Sequence, residues 1–92
     1  MRMDKFLKLS RLIRRRTVAR EIASVGAVRI NGRASKPASE VRPGDVVDIA
    51  YPYRVLTIEV LCAEEAVLKR TSPDDAYRII EERRVEPTEK PW

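Results

Sequence analysis

The chain has 92 residues, a net charge of +5, no histidine and a single cysteine, Cys62. A chain of this length buries only a small core, so a large enzymatic cleft is not expected, and one thiol without histidine excludes an intrachain disulfide and leaves little basis for a zinc site. The charge is also sorted, because residues 1–36 hold 11 basic and 2 acidic side chains while residues 37–92 hold 8 and 12, and such a separation favours a polyanion-binding face.

The N-terminal segment predicts a first short helix from about Asp4 to Leu9. Met3, Phe6 and Leu7 form an inward stripe, and the acidic residue at the start of the helix suits the positive end of the helix dipole. Ser10 to Ile13 then reads as a tight connection whose apolar residues enter the core.

A second helix is predicted from about Arg15 to Val25. Val18, Ile22 and Val25 recur at the spacing of one helix face, and Gly26 stands where a left-handed residue ends a helix. These three apolar residues are therefore expected to face the core.

Four arginines of this region are expected to face a ligand. Arg16 and Arg20 project almost opposite to Val18, and Arg14 and Arg15 lie at the mouth of the second helix. Cations are unfavourable at a helix N-terminus by roughly 0.3–1 kcal/mol each. Because the N–H groups there favour an anion, the cluster indicates phosphate binding.

The middle of the chain predicts a small antiparallel sheet. A short alternating strand, Ala27 to Ile30, leads into Asn31-Gly32, a strong hairpin signal, and Arg33 to Lys36 returns. Val46 to Ile49 and the alternating segment Arg54 to Leu61 supply two further strands. Both helices are expected to pack on one side of this sheet.

The C-terminal part predicts a third helix. Ser72 as N-cap and Pro73 at the first helical position begin it, a thin apolar stripe of Ala76, Ile79 and Ile80 follows, and it is expected to run to about Arg84. Residues 88–92 are expected to fray.

Four runs of the first 50 residues resemble, in order and spacing, the S4 RNA-binding module: Arg2–Leu7, Arg20–Gly26, Val28–Gly32 and Val41–Val47. The resemblance implies an α+β fold, the S4 (alpha-L) module, in which two N-terminal helices pack on a small antiparallel sheet and a basic helical face grips folded RNA by its backbone. The C-terminal helix is then an addition. The expected division is an S4 RNA-binding domain over residues 1–62 and a C-terminal helix and tail over residues 63–92.

Among free-standing S4 proteins, the chain resembles the small bacterial ribosome-associated quality-control proteins of the RqcP type. The similarity includes Met1–Lys8, Ser10–Ala19 and Ala76–Glu82. It implies binding to the large ribosomal subunit, through 23S rRNA, and to the peptidyl-tRNA trapped there after a stalled ribosome splits. It also implies cooperation with a tailing factor that extends the trapped nascent chain with alanine.

Carried over by position, Arg2 and Arg16 are the principal RNA contacts, and other basic residues support them. The full set predicted to bind RNA is Arg2, Lys5, Lys8, Arg11, Arg14, Arg15, Arg16 and Arg20. No catalytic residue, metal or cofactor is expected. No segment approaches the ~20 apolar residues that span a bilayer, and the charged N-terminus is unlike a secretory signal, so a cytoplasmic protein without membrane contact is expected. Nothing in the sequence indicates dimerisation, so a monomer is expected.

Three alternatives stay open at this point. The run Arg33–Pro37 and the Ser72-Pro73 pair are similar to the heat-shock S4 protein, which recycles large subunits carrying peptidyl-tRNA, although its long basic C-terminal extension is missing. A non-ribosomal RNA-binding interaction module would use the acidic C-terminal helix. A catalytic RNA-modifying subunit would need a partner chain to supply the active site.

Overall fold

The computed structural model describes all residues from Met1 to Trp92. Four helices and five strands follow one another as α1 (Met3–Leu9), α2 (Arg16–Ser24), β1 (Val28–Ile30), β2 (Arg33–Ala34), β3 (Val46–Ala50), β4 (Arg54–Val60), α3 (Glu65–Leu68), α4 (Pro73–Ala76) and β5 (Tyr77–Arg84). The predicted α+β class is confirmed. None of the helices has the length and apolarity that crossing a membrane requires.

One antiparallel sheet has the strand order β2-β1-β3-β4-β5. The predicted Asn31-Gly32 turn joins β1 to β2, with Ile30 opposite Arg33. Both turn residues have positive φ, 50° and 81°, as a type I′ hairpin requires. The Asn31 side chain also accepts from the Val46 N–H at 2.9 Å and donates to Asp45 at 3.1 Å, so the turn is tied to the start of β3.

The core lies between α1 and one face of the sheet. The predicted α1 stripe is confirmed, since Met3, Phe6 and Leu7 are fully buried. Alternate residues of the central strands meet them from the sheet: Val28, Val47, Ile49, Leu56 and Ile58. The residues between these, such as Asp48 and Thr57, lie on the opposite face of the sheet.

The predicted buried face of α2 is wrong. Val18 and Val25 are exposed, whereas Ala19 and Ala23 are the buried residues of this helix. Where a helix packs closely against its neighbours only small side chains fit at the contact, and the alanines provide that fit. Ile22 is half-buried against the edge of the core. The helix is therefore rotated relative to the prediction, which brings Arg16 and Arg20 nearer to α1.

The predicted C-terminal helix is also wrong beyond its first turn. It begins at Pro73 as expected, although the Ser72 side chain makes no capping hydrogen bond. It ends at Ala76, and Tyr77–Arg84 forms β5. Seven residue pairs join β5 to β4, so the backbone groups of β4 that would otherwise be an open edge are hydrogen-bonded. Ile79 and Ile80 are β-branched and suit a strand, and both remain largely exposed.

The C-terminal end folds back onto the body of the protein. The Trp92 indole N–H donates to the Gly26 carbonyl at 3.2 Å, and the Arg29 guanidinium lies 5.4 Å from the centre of the indole ring. The Arg83 side chain donates to the Pro91 carbonyl at 2.8 Å. The fraying expected for residues 88–92 is not what the structure shows.

Candidate RNA interface

A buried carboxylate collects arginines from both N-terminal helices. The Asp4 side chain is fully buried at the start of α1. It accepts hydrogen bonds from two nitrogens of Arg2 at 3.2 and 3.3 Å and from Arg16 at 3.4 Å, and Arg20 lies 3.9 Å away. The backbone N–H of Lys5 donates to it at 2.7 Å. We call Arg2, Arg16 and Arg20 the arginine cluster.

The electrostatics of Asp4 favour its ionised form. Burial alone would raise the pKa of its carboxyl group. The hydrogen bond from Arg2, the positive charge of Arg16 and the N–H of Lys5 outweigh that effect, so the pKa lies below its usual value. Asp4 is therefore a carboxylate at neutral pH and holds its arginine partners.

The arginine cluster remains available to a ligand. The side chains of Arg2, Arg16 and Arg20 are 50%, 45% and 65% exposed. Three cations share one buried anion, so the surface above Asp4 keeps a positive charge. Guanidinium groups held in place by a fixed partner lose less conformational freedom when they bind phosphate, and the cluster is therefore preorganised for contact with an anion.

Lys5 is beside the cluster but already has an acidic partner. Its ammonium lies 2.7 Å from Glu65 of α3, and Lys69 lies 3.2 Å from the same carboxylate. The hydrogen bond from Lys5 and then that from Lys69 hold the pKa of Glu65 below its usual value. Together with Arg2 and Arg16, Lys5 and Glu65 line a cleft of about 350 Å³.

The connection between α1 and α2, residues Ser10–Arg15, presents the remaining arginines. Arg11 has a φ of 66°, a conformation that costs a residue other than glycine about 1–2 kcal/mol. Its N–H donates to the Lys8 carbonyl at 3.1 Å and so closes the end of α1. The side chain of Arg11 is exposed and makes no ion pair.

Arg14 and Arg15 line a second cleft, of about 550 Å³, with Ile13 and Val18. No side chain caps α2 and its first turn has no acidic residue, so the positive potential of its N-terminus is not compensated within the protein. Lys8 is exposed on α1 and makes no ion pair. The structure thus joins Arg2, Lys5, Arg16 and Arg20 in one place and leaves the other four predicted residues as exposed cations outside that group.

Sequence reasoning missed two acidic residues of this surface. In the sequence, Asp4 reads only as an acidic residue at the start of a helix, yet it lies three residues before Leu7 and so shares the buried face of α1. An aspartate on an apolar helix face in a strongly basic segment was the signal that could have revealed it. Glu65 had no such signal, because its contact with Lys5 depends on how α3 lies against α1. RNA contact by the eight predicted basic residues stays a prediction.

Comparison with protein families matches residues 1–47 to the S4 domain. Among curated proteins, the chain is similar to the RQC P-site tRNA stabilizing factor of Bacillus subtilis, with 39% identity over 85 residues, which is 92% of this chain and 98% of the relative. It is also similar to the RQC P-site tRNA stabilizing factor of Listeria monocytogenes, with 41% identity over 94% of this chain and 92% of the relative.

Among solved structures, a trimeric structure of Heat Shock Protein 15 from Vibrio cholerae shares the fold. The TM-score is 0.77 and the sequence identity 26%, over 86% of this chain and 80% of the other. The match extends well beyond residues 1–47, so the fold likeness includes the C-terminal part of the chain.

Proposed function

The chain belongs to the S4 domain family and, within it, to the RQC P-site tRNA stabilizing factors, and from this premise we propose that it binds ribosomal RNA and stabilises P-site tRNA. It acts in ribosome-associated quality control by binding and positioning these RNAs. The family premise rests on similarity along almost the whole chain, so it covers the C-terminal part as well as the S4 module.

The observation that carries the proposal is the arginine cluster on Asp4. Arginines from the start of α1 and from the first half of α2 converge on one buried carboxylate while about half of each side chain stays exposed. Guanidinium groups suit bidentate contact with phosphate. Such contacts fix register and supply salt-dependent affinity without reading sequence. This mode of binding suits structured RNA, which proteins recognise largely by shape and backbone.

The finer assignments are part of the same proposal. The RNA partners are 23S rRNA of the large subunit and the peptidyl-tRNA trapped on it, and a tailing factor extends the nascent chain beside them. The protein acts in the cytoplasm as a monomer, without a catalytic step of its own.

We also propose that residues 1–62 form the RNA-binding S4 module and residues 63–92 a C-terminal addition. In that addition a strand, β5, stands in place of the expected helix. Pairing of β5 with β4 couples the addition to the module.

The heat-shock role is a second candidate, favoured by the fold shared with Heat Shock Protein 15. A protein in that role would recycle large subunits that carry peptidyl-tRNA and would need no tailing factor. Both candidates use the same basic face, so the fate of the nascent chain distinguishes them.

Gradient sedimentation from lysate tests the proposal. Tagged wild type is compared with Arg2→Ala/Arg16→Ala and with the control Arg42→Ala/Arg70→Ala, which removes two exposed arginines outside the cluster. We expect the wild type and the control to sediment with free large subunits and tRNA and the cluster variant to be lost from them. Wild type that stays at the top of the gradient at low salt, without RNA, would contradict the proposal. Alanine tails on the bound nascent chains would favour quality control over the heat-shock role.

A further inference from the structure

The hairpin between β3 and β4 forms a cleft of about 480 Å³. We call it the tyrosine cleft, and its lining residues are Tyr51, Pro52, Tyr53, Arg54, Glu82 and Arg84. Tyr53 is 64% exposed, and the Arg54 guanidinium lies 4.5 Å from the centre of the Tyr51 ring. Neither the core nor the arginine cluster uses Tyr53.

The tyrosine cleft is held in place by its own contacts. The Val85 N–H donates to the Tyr53 carbonyl at 2.9 Å, and the Tyr51 N–H donates to the Arg54 carbonyl at 2.8 Å. Arg54 also makes an ion pair with Glu82 at 2.6 Å. Because the backbone around Tyr53 is fixed in this way, a ligand would not have to order it.

The cleft adjoins the basic face through Tyr51. Its hydroxyl donates to the Leu12 carbonyl at 2.8 Å, inside the connection that carries Arg11, Arg14 and Arg15. Burial raises the pKa of the Tyr51 phenol, so the hydroxyl keeps its proton and this bond is present at neutral pH. One aromatic ring therefore lines the cleft and also supports the arginine-bearing connection.

The charges of the cleft favour a nucleotide. Glu82 neutralises Arg54, whereas Arg84 makes no ion pair and leaves one positive charge at the rim. An exposed tyrosine ring offers a stacking surface to any base, and unpaired bases are the parts of an RNA that can be placed on such a ring. A volume of about 480 Å³ lies within the usual range of ligand sites.

We propose that the tyrosine cleft holds one unpaired RNA base, stacked on Tyr53 with its phosphate near Arg84. This inference rests on the proposed function, since the basic face must hold the RNA beside the cleft. It adds a preference that the arginine cluster cannot supply. Phosphate contacts do not depend on whether a base is paired, whereas the cleft binds an unpaired base and not one that is paired within a helix.

The test uses two short RNA hairpins that share one stem closed by the same ethylene glycol linker, so that neither has an unpaired loop base. One stem is fully paired and the other carries a single unpaired adenosine. We expect wild type to bind the bulged hairpin about 5- to 150-fold more tightly, which is the contribution of stacking one base on an aromatic ring. Tyr53→Ala should abolish the preference and Tyr53→Phe should keep it. Leu61→Ala is the control, since Leu61 is another exposed apolar residue and lies outside the cleft, and it should bind as wild type.

The outcomes separate this inference from the proposed function. Arg16→Ala should weaken binding of both hairpins equally and leave their ratio unchanged. Equal affinity of wild type for the two hairpins, or a preference that survives in Tyr53→Ala, would overturn the base site and leave the proposed function intact. Absence of binding to either hairpin at low salt would overturn the proposed function and the base site together.

Discussion

Replacing Asp4 by asparagine should weaken RNA binding even though it removes a negative charge from the interface. The carboxylate accepts four hydrogen bonds, three of them from arginines, and an asparagine offers a single acceptor oxygen. Hydrogen bonds to charged groups contribute about 1.5–3 kcal/mol each, but exposed ion pairs contribute only about 0.2–1 kcal/mol. Because the arginines are half exposed, we expect a total loss of about 1–3 kcal/mol of unfolding free energy. That corresponds to a fall in Tm on the order of 5–20 °C.

The effect on RNA distinguishes two roles for Asp4. If it positions the arginine cluster, the asparagine variant should bind folded RNA roughly tenfold more weakly, about the worth of one charge-assisted contact. If it is only a countercharge, the variant should bind more tightly and show a steeper dependence on salt. The assay is equilibrium binding of tRNA by fluorescence anisotropy over a salt series, below the melting temperature of every variant.

Glu21→Gln is the matched control for this experiment. It makes the same change of charge on the exposed side of α2, where the carboxylate has no arginine partner. The control should bind RNA as tightly as wild type or slightly more tightly. Tighter binding by Asp4→Asn as well would refute the positioning role of Asp4.

Four further predictions concern Arg16, Asp4, Arg11 and Tyr51. Arg16→Ala should lower affinity about equally for RNAs of different sequence, and in salt titrations it should reduce the magnitude of the slope of log K against log salt by about one. The free energy of unfolding should change by about 1 kcal/mol or less. The pKa of Asp4 is lowered in the fold, so its carboxylate stabilises the protein fully above the pKa of the unfolded chain, near 3.9, and this stabilisation is lost as the pH falls through the pKa of the folded protein. Urea unfolding should therefore show a fall in stability below about pH 4, and this fall should be smaller in Asp4→Asn. Arg11→Gly should leave unfolding free energy unchanged or raise it by up to about 1 kcal/mol, because glycine relieves the positive φ, yet should lower RNA affinity; a stability loss above about 1 kcal/mol would contradict this. Tyr51→Phe leaves the Leu12 carbonyl without its donor and should cost about 1 kcal/mol, measured as a Tm fall of about 4–8 °C.

The local signals of the sequence predicted the buried face of α1 and the first hairpin well. The stripe of Met3, Phe6 and Leu7 and the Asn31-Gly32 turn depend on spacing and on backbone preference, which are properties of short segments. These features set the layer of α1 on the sheet. The run of arginines at the start of α2 could also be recognised, because it too is a property of a short segment.

The errors arose where distant parts of the chain decide the outcome. The pattern of Val18, Ile22 and Val25 marks the most apolar face of α2, but the close contact selects Ala19 and Ala23 because of their size. Residues 77–84 have a weak helical stripe, but they form a strand because they pair with the edge of β4. Their partners in β4 lie 17 or more residues earlier in the chain. Neither the elements that α2 packs against nor the edge of β4 can be recognised in a stretch of sequence as short as one helix.

The residue types of the candidate site could be predicted from the sequence, but their arrangement could not. Basic residues indicate a polyanion partner, whereas the gathering of Arg2, Arg16 and Arg20 requires the buried carboxylate of Asp4. The contact between Arg16 and Asp4 spans 12 residues and exists only once both helices are packed. The same is true of the tyrosine cleft, whose residues come from the β3–β4 hairpin and from β5.

The most direct test of the proposed interface is a cryo-EM map of the tagged protein on large subunits isolated from cells. We predict that the starts of α1 and α2 face RNA, with Arg2 and Arg16 within hydrogen-bond distance of phosphate oxygens and Asp4 still beneath them. RNA on the face of the sheet opposite the core, or a complex held through β5 with the arginine cluster in solvent, would contradict the assignment of this surface.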